Sequence, residues 1–404
     1  MSSRRYFSPR FLAGKIGERG ILYCLRAGTG KIYRRIHENK FYRRMRCKVW
    51  WVFPSLRFFF RPTAQSEKRI LAIWDFRTVP YSIGDLIILH ERIQIMRMTY
   101  KIDKADICFL YDPQNPGRRL DSLGVTADNY HYHFPALISA LYLNPHVGAV
   151  FLFDSHDHME DYIGTNEGRY HIWPEGKQYL AKHYAYAENF DFIQSFYRKN
   201  GFIPSIDYRA STLEWAYSFY KNHVLPSYPV VVHLRNNPVC GSNRNARLDE
   251  WHAFFKSCGD KFDIRFIMIG AASEIDERFR DLPNLLIAKD YRTTVEQDLV
   301  LAYSTLIFIG SSSGPSSAAI FSQTPYIIFN YQICNESVPH GGKFSFATDL
   351  QKLVWEPETS DILMEQFSDL FYRVHKSSWK EKMDSFMALR EEGTYKSNVR
   401  WMEG

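Results

Sequence analysis

The stretch STLIFIGSSSGPSSAAIFSQTPYIIFN, residues 304–330, sets an apolar run, a turn of glycine, serine and proline, a run of small residues and a second apolar run in succession. Short continuous apolar runs bounded by turn formers read as strands buried on both faces, and the small residues between them read as a helix packed closely on the sheet. Strand, loop, helix, strand is the repeat of a parallel α/β sheet. Gly310 ends the first strand, Ser311, Ser312 and Ser313 offer hydroxyls, Gly314 permits a sharp turn, and Pro315 suits a first helical turn. Unpaired amides at a helix start, with the positive end of its dipole, suit an anion, and pyrophosphate is the expected guest. No GK[ST] follows and no GxGxxG is present, so the loop is neither a Walker loop nor a dinucleotide fingerprint. Ser316 and Ser317 also read simply as helix-turn residues.

Outward from this stretch the alternation continues in both directions. Upstream lie the strand YPVVVHLR, the helix around LDEWHAFFKSC, the strand FDIRFIMIG, a helix starting near Ser273, the strand NLLIA and the helix TVEQDLVLAYS. An earlier series runs through ILAIWDF, the loop RTVPYSIGD, the helix LIILHERIQIMRM, and the strands ADICFLYD and VGAVFLFD, both expected to be buried and each closing on an aspartate. The helical stretches PEGKQYLAKHYAYAENFDFIQSFYRKN and STLEWAYSFYKNHVL close that half, and SDILMEQFSDLFYRVH and SWKEKMDSFMALREE read as terminal bracing helices. The expected fold is α/β: two Rossmann-like parallel-sheet domains, residues 67–225 and 226–404, with a ligand in the cleft at the carboxyl ends of both sheets.

The net charge of +7 conceals an asymmetry. Residues 1–61 hold sixteen Lys/Arg against Glu18 and Glu38, so a basic arm, residues 1–66, precedes an acidic body. Within the arm, KVWWVFPSLRFFFRP sets Trp50, Trp51, Phe53, Phe58, Phe59 and Phe60 among basic residues. Broken by Pro54 and Arg57, it is too short to span a bilayer and lacks the order of a signal peptide. Basic groups with interfacial aromatics suit an anionic membrane surface. An arm that packs on its own protein or merely solubilises it is the plain alternative, and nucleic acid the lesser one, since the body lacks the basic clustering that a polynucleotide requires. The six cysteines are widely spaced with no CxxC pair, which favours a reducing compartment and offers no zinc or dithiol site.

Several residues are candidates for chemistry. In VVVHLRNNP, alternation puts His233 and Arg235 on one side of a strand end with Asn236 after them, and a guanidinium grips a diphosphate through two oxygens; His233 reads equally as a satisfied core histidine, and Arg235 also as the partner of a body carboxylate. Gly270, closing FIMIG, falls at a neighbouring strand end, and the acids that follow it (Glu274, Asp276 and Glu277) read as first-turn residues, with Glu296 a solvated helix residue. In VPYSIGD, Gly84 allows a close approach and Asp85 opens a helix, as a cap or as a base that takes a proton from an acceptor hydroxyl. Tyr81 and Ser82 are weaker acceptor-side candidates. FDSHDHMED gathers Asp154, His156 and Asp157, readable as further catalytic carboxylates beside an acceptor-side histidine, as a divalent-metal cluster, or as an acidic helix start; the helix start is the plainest of the three. NYHYHF, with His131 and His133, is similarly unspecific.

SIGD in the first half and HLR…FIMIG…LVLAYSTLIFIGSSSGPSSAAIFSQTP in the second resemble a glycosyltransferase of the two-domain GT-B class, and in particular its bacterial heptosyltransferase-like branch. That resemblance implies an acceptor-side carboxylate at Asp85 and a donor-phosphate loop at Ser313 and Gly314. The sequence departs from the branch after that pair, with Pro315 and Ser316 ahead of Ser317 and no histidine there. The HxR of His233 and Arg235 resembles the strand end by which some fucosyltransferases hold a GDP-sugar, although Asn236, Asn237 and Pro238 replace their Arg-Thr-Asp. The resemblance implies a nucleotide-sugar donor held without metal or cofactor, on Ser313, the amides of Gly314, Ser316 and Ser317, and Arg235. It also implies an inverting transfer to a glycan or lipid-linked acceptor in surface polysaccharide or glycolipid synthesis, at the cytoplasmic membrane face. A sugar-nucleotide 2-epimerase of the same architecture and a non-catalytic carbohydrate-assembly scaffold are the alternatives; neither needs both Asp85 and a second sugar.

Overall fold

The structure, a computed structural model, describes residues 68–76, 82–111, 130–175, 186–237, 244–331, 338 and 340–391, excepting the side chains of 130–134, 167, 186–188 and 389–391. The basic arm, Tyr81 and the side chains of His131 and His133 lie outside the described residues.

Two parallel sheets carry the chain. The first has the order β3-β2-β1-β4, from β1 (Arg69–Asp75), β2 (Ala105–Leu110), β3 (Val147–Phe153) and β4 (Tyr170–Trp173). β1 pairs on both sides, and its residues 70–74 are all apolar because both its faces are covered. Ile70, Ala72 and Trp74 face the main core with α1 (Ile83–Tyr100), while Leu71 and Ile73 join Cys108 and Leu110 under Met159 and Ile163 of α3 (His156–Asn166). Expected to be buried, β3 is instead an edge strand, with Leu152 56% exposed, because nothing among the described residues pairs with its outer side.

The second sheet has six parallel strands in the order β10-β9-β8-β5-β6-β7: β5 (Tyr228–His233), β6 (Ile264–Met268), β7 (Leu285–Ile287), β8 (Ile307–Ser311), β9 (Tyr326–Phe329) and β10 (Gln351–Leu353). This is the doubly wound order, in which the chain turns back between its first and fourth strands. Both sheets therefore have the Rossmann-like parallel character of a GT-B-like architecture. The expected helix near Ser273 is replaced by two 3-10 turns, Ala272–Glu274 and Glu277–Asp281. Asp276 interrupts any continuous helix by capping the second turn, its carboxylate accepting from the Arg278 amide at 3.0 Å.

The remaining helices fix the sheets together. α5 (Ala210–His223) packs on α7 (Val295–Ser304): Tyr220 donates its hydroxyl to the Leu301 carbonyl at 2.9 Å, and Thr212 donates to Glu296 at 2.7 Å, so Glu296 is a packing partner and not merely solvated. α10 (Lys376–Glu391) seals this junction, with Trp379 Nε1 donating to the Ser304 carbonyl at 2.8 Å and Phe386 against Tyr217. α9 (Ser360–Arg373) covers α6 (Leu248–Cys258) through Phe367 and Phe254. Phe190 of α4 (Tyr186–Asn200) stacks between Phe321 and Phe344. A continuous apolar core thus reaches both sheets.

Two strands and a helix went unrecognised in the sequence. β4 and β10 are only four and three residues long, with polar positions inside. α2 (Tyr130–Leu141) carries Pro135, which reads as a breaker.

Candidate active site

The chain reversal of the second sheet lies between β5 and β8, and ligands of doubly wound sheets sit in the crevice at that point. Both donor-side stretches end there. His233 pairs in register with Gly310, and the Arg235 amide then donates to Ser311 Oγ at 3.1 Å, tying the Arg235 strand end to the serine loop. Ser311 and Ser312 are buried, whereas Ser313, Gly314 and Pro315 are half-buried.

Local bonding decides which groups of that loop remain available. Ser316 donates its hydroxyl to the Ser313 carbonyl at 2.5 Å, and the Ser317 amide donates to the Gly314 carbonyl at 3.1 Å. Of the expected phosphate donors, the Ser317 amide is therefore spent on the turn that starts α8 (Ser316–Ile320). Ser313 Oγ, by contrast, is buried with no hydrogen-bond partner among the described residues. A buried hydroxyl without a partner is costly, so this atom is a candidate ligand contact.

His233 is buried at its strand end. It is 5% exposed, and burial, reinforced by Arg235, pushes its imidazole down to about 4, which keeps the ring neutral. Gly270, at φ 125°, lies against it: a Cβ there would stand 3.0 Å from the His233 ring. The Gly270 amide donates to Asp298 at 3.2 Å, which marks Gly270 as a packing glycine. Glu274, read from sequence as a first-turn acid, packs against His233 and Asn236. Its carboxylate lies 4.0 Å from His233 Nε2, its carbonyl accepts from the Asn236 side chain at 3.3 Å, and burial raises its pKa against the pull of Arg235. A glutamate in a turn carries no sequence signal for such a role.

On the first sheet, β1 leads through residues outside the description to Ser82, the N-cap of α1. Its hydroxyl accepts from the Asp85 amide at 3.3 Å. Asp85 is therefore a half-buried first-turn carboxylate and not the cap residue. Gly84 meets protein where a ligand was expected: a Cβ on it would lie 2.9 Å from the Gly314 Cα. The first-turn loop of α1 and the loop before α8 thus touch, which brings Asp85, Gly84, Ser313 and Gly314 together.

The acidic segment behaves differently. Asp154 is exposed and meets His158 at 3.4 Å, and Asp157 is exposed in the first turn of α3. Among the described residues, no hydrogen bond or ion pair joins either of them to the loop at residues 311–315. His156 turns inward, its Nε2 3.2 Å from the buried carboxylate of Asp75 at the end of β1. Among the described residues, no group of three or more His, Cys, Asp or Glu is placed to hold a metal, and no helix is long and apolar enough to cross a membrane.

No family model matches the chain, and no curated protein does. Among solved structures, the chain is similar to the ADP-heptose LPS heptosyltransferase II of E. coli, at 11% identity over 76% of this chain and 99% of that one, with a TM-score of 0.46. It is also similar to a glycosyl transferase of family 9 from Veillonella parvula, at 10% identity over 80% and 97%, TM-score 0.44. A third similarity is to a putative UDP-N-acetylglucosamine 2-epimerase from Listeria monocytogenes, at 8% identity over 80% and 91%, TM-score 0.35.

Proposed function

We propose that the chain is a glycosyltransferase that moves a sugar from a nucleotide-activated donor to a glycan or lipid-linked acceptor in surface polysaccharide or glycolipid synthesis. The observation that carries this reading is the Ser313 hydroxyl at the β5/β8 switch point, unpartnered among the described residues and next to the Gly314 backbone that touches Gly84. In this reading the donor diphosphate lies on Ser313 and the Gly314 and Ser316 amides, and Arg235 clamps it. An acceptor hydroxyl enters beside α1 and attacks the anomeric carbon with inversion. Its proton passes to Asp85 as the bond to phosphate breaks and the nucleoside diphosphate leaves. Fixed donors contribute most where charge develops on that leaving group, so Arg235 and Ser313 fill the place of a metal. Residues 1–61 hold the enzyme on an anionic membrane surface, at its cytoplasmic face.

The test is incubation with UDP-, GDP-, ADP- and CMP-sugars, with and without lipid-linked or oligosaccharide acceptors. Transfer that requires an acceptor and releases nucleoside diphosphate is expected. Epimerised donor in the absence of acceptor would overturn the transferase reading.

A further inference from the structure

α1 and α4 lie side by side where Arg92 Nη1 donates to Asn189 at 2.8 Å, and a groove of about 790 Å³ opens between their carboxyl-terminal halves. That volume lies in the range of small-molecule sites. Ile95, Met96, Trp173 and Pro174 form its buried lining. At its rim stand Met98, Tyr100 and Phe202, 48%, 39% and 47% exposed. These are three of the seven exposed large apolar side chains among the described residues, gathered at one place, which marks a surface that something covers. Unbranched methionine side chains conform to a flexible apolar guest.

The charges of the groove give the guest a sign. Lys199 is exposed at the rim, and the Arg92 guanidinium lies inside, over the rings of Phe192 at 4.1 Å and Trp173 at 4.7 Å. Glu175, the one carboxylate among the described residues of the lining, accepts from the Tyr100 hydroxyl at 3.3 Å. Among the described residues, exposed Lys199 and the ring-stacked Arg92 stand against one acid above an apolar floor, which complements an amphiphile with an anionic headgroup. A sugar fits less well, because Trp173, the broadest stacking surface in the groove, is 5% exposed and covered by Arg92.

We infer that this groove holds an acyl chain and anionic headgroup of a membrane lipid, a contact with the bilayer separate from residues 1–61. The inference rests on the proposed membrane-surface function and refines its acceptor. Met98 follows Gly84 by fourteen residues of one helix, about 21 Å along the axis. A bilayer lipid held at the groove stands about that far along α1 from the Gly84–Gly314 contact, a span that an acceptor glycan of several sugars bridges.

The full-length chain is titrated calorimetrically with decyl phosphate below its micelle concentration, with decyl maltoside and inorganic phosphate as comparisons. Saturable binding of decyl phosphate is expected, at least tenfold weaker binding of decyl maltoside, and none of inorganic phosphate. Lys199→Glu and Phe202→Ser, both at exposed positions, each weaken decyl phosphate at least tenfold without changing the melting temperature, while Tyr372→Ser on another surface changes nothing. Equal binding of decyl maltoside overturns the anionic assignment. Undiminished binding in the Lys199→Glu/Phe202→Ser double variant overturns the groove and assigns the amphiphile to another surface. No turnover is read, so failure of the transferase assay and failure of this inference are separate results.

Discussion

Gly84 and Gly314 touch through their backbones: a Cβ on Gly84 would lie 2.9 Å from the Gly314 Cα, and one on Gly314 would lie 3.0 Å from the Gly84 amide nitrogen. Neither has a positive φ, so each is required for the space it leaves and not for a special dihedral. Gly84→Ala and Gly314→Ala each force one backbone away from the other, at a cost of about 1–3 kcal/mol. Once the loops have parted, the second substitution costs less, so the double variant is less destabilised than the two singles together. Urea unfolding of all four proteins measures this. Wild-type stability in both singles would mean that the loops do not meet in solution.

Ser82 and Asp85 divide the duties of one helix start. Because the Ser82 hydroxyl accepts from the Asp85 amide, Ser82→Ala removes the cap and costs about 1 kcal/mol of stability with donor binding retained. Asp85→Asn leaves that cap in place and removes only basicity. Its turnover falls ~10²-fold or more while melting temperature and donor affinity hold. Thermal melts and steady-state kinetics on the pair separate the roles, and near wild-type turnover in Asp85→Asn would end its assignment as the base.

The sequence reading succeeded where burial imposes a continuous pattern. The apolar runs ILAIWDF and TLIFIG could only be strands with both faces covered, and the glycines and serines between strand and helix marked the tight crossings. Strand order, which brings Arg235 beside Ser311, is a tertiary fact with no local signature, as is the matching of Gly84 to Gly314 across 230 positions. Gly270 and His233 looked like ligand residues because each stands at a strand end; three-dimensional packing instead sets one against the other. Asp154 and Asp157 form a suggestive cluster by composition, yet Asp154, just past β3, and Asp157, in the first turn of α3, are both exposed, and only His156 turns in, toward Asp75.

Arg235 joins the serine loop through its backbone amide, so truncating the side chain leaves that bond intact. Arg235→Ala therefore weakens nucleoside diphosphate binding by roughly 1.5–3 kcal/mol without unfolding the crevice. Arg235→Lys restores the charge but not the planar fork, and regains only part of the loss. Calorimetric titration with the matched diphosphate decides it; equal affinity in all three proteins would make Arg235 a structural residue.

Glu91, in the middle of α1, is fully buried with neither carboxylate oxygen hydrogen-bonded among the described residues. Burial therefore raises its pKa well above 4.5. The folded chain keeps a proton there that the unfolded chain releases, so stability from this group is complete below pH 4.5 and is lost as pH rises toward the folded pKa. His90 and His233 act oppositely. Burial lowers each to about 4, so their contribution is complete above 6.5 and is lost as pH falls toward 4. Glu91→Met removes the first dependence and leaves the second. Relative to the natural chain, the variant gains stability with rising pH, by up to about 1.4 kcal/mol per unit until the folded pKa of Glu91 is passed. Urea unfolding at pH 5.5, 6.5 and 7.5 reads the difference directly. A constant offset across that range would mean that Glu91 is already ionised in the folded chain, and that a cation or water reaches it inside the core.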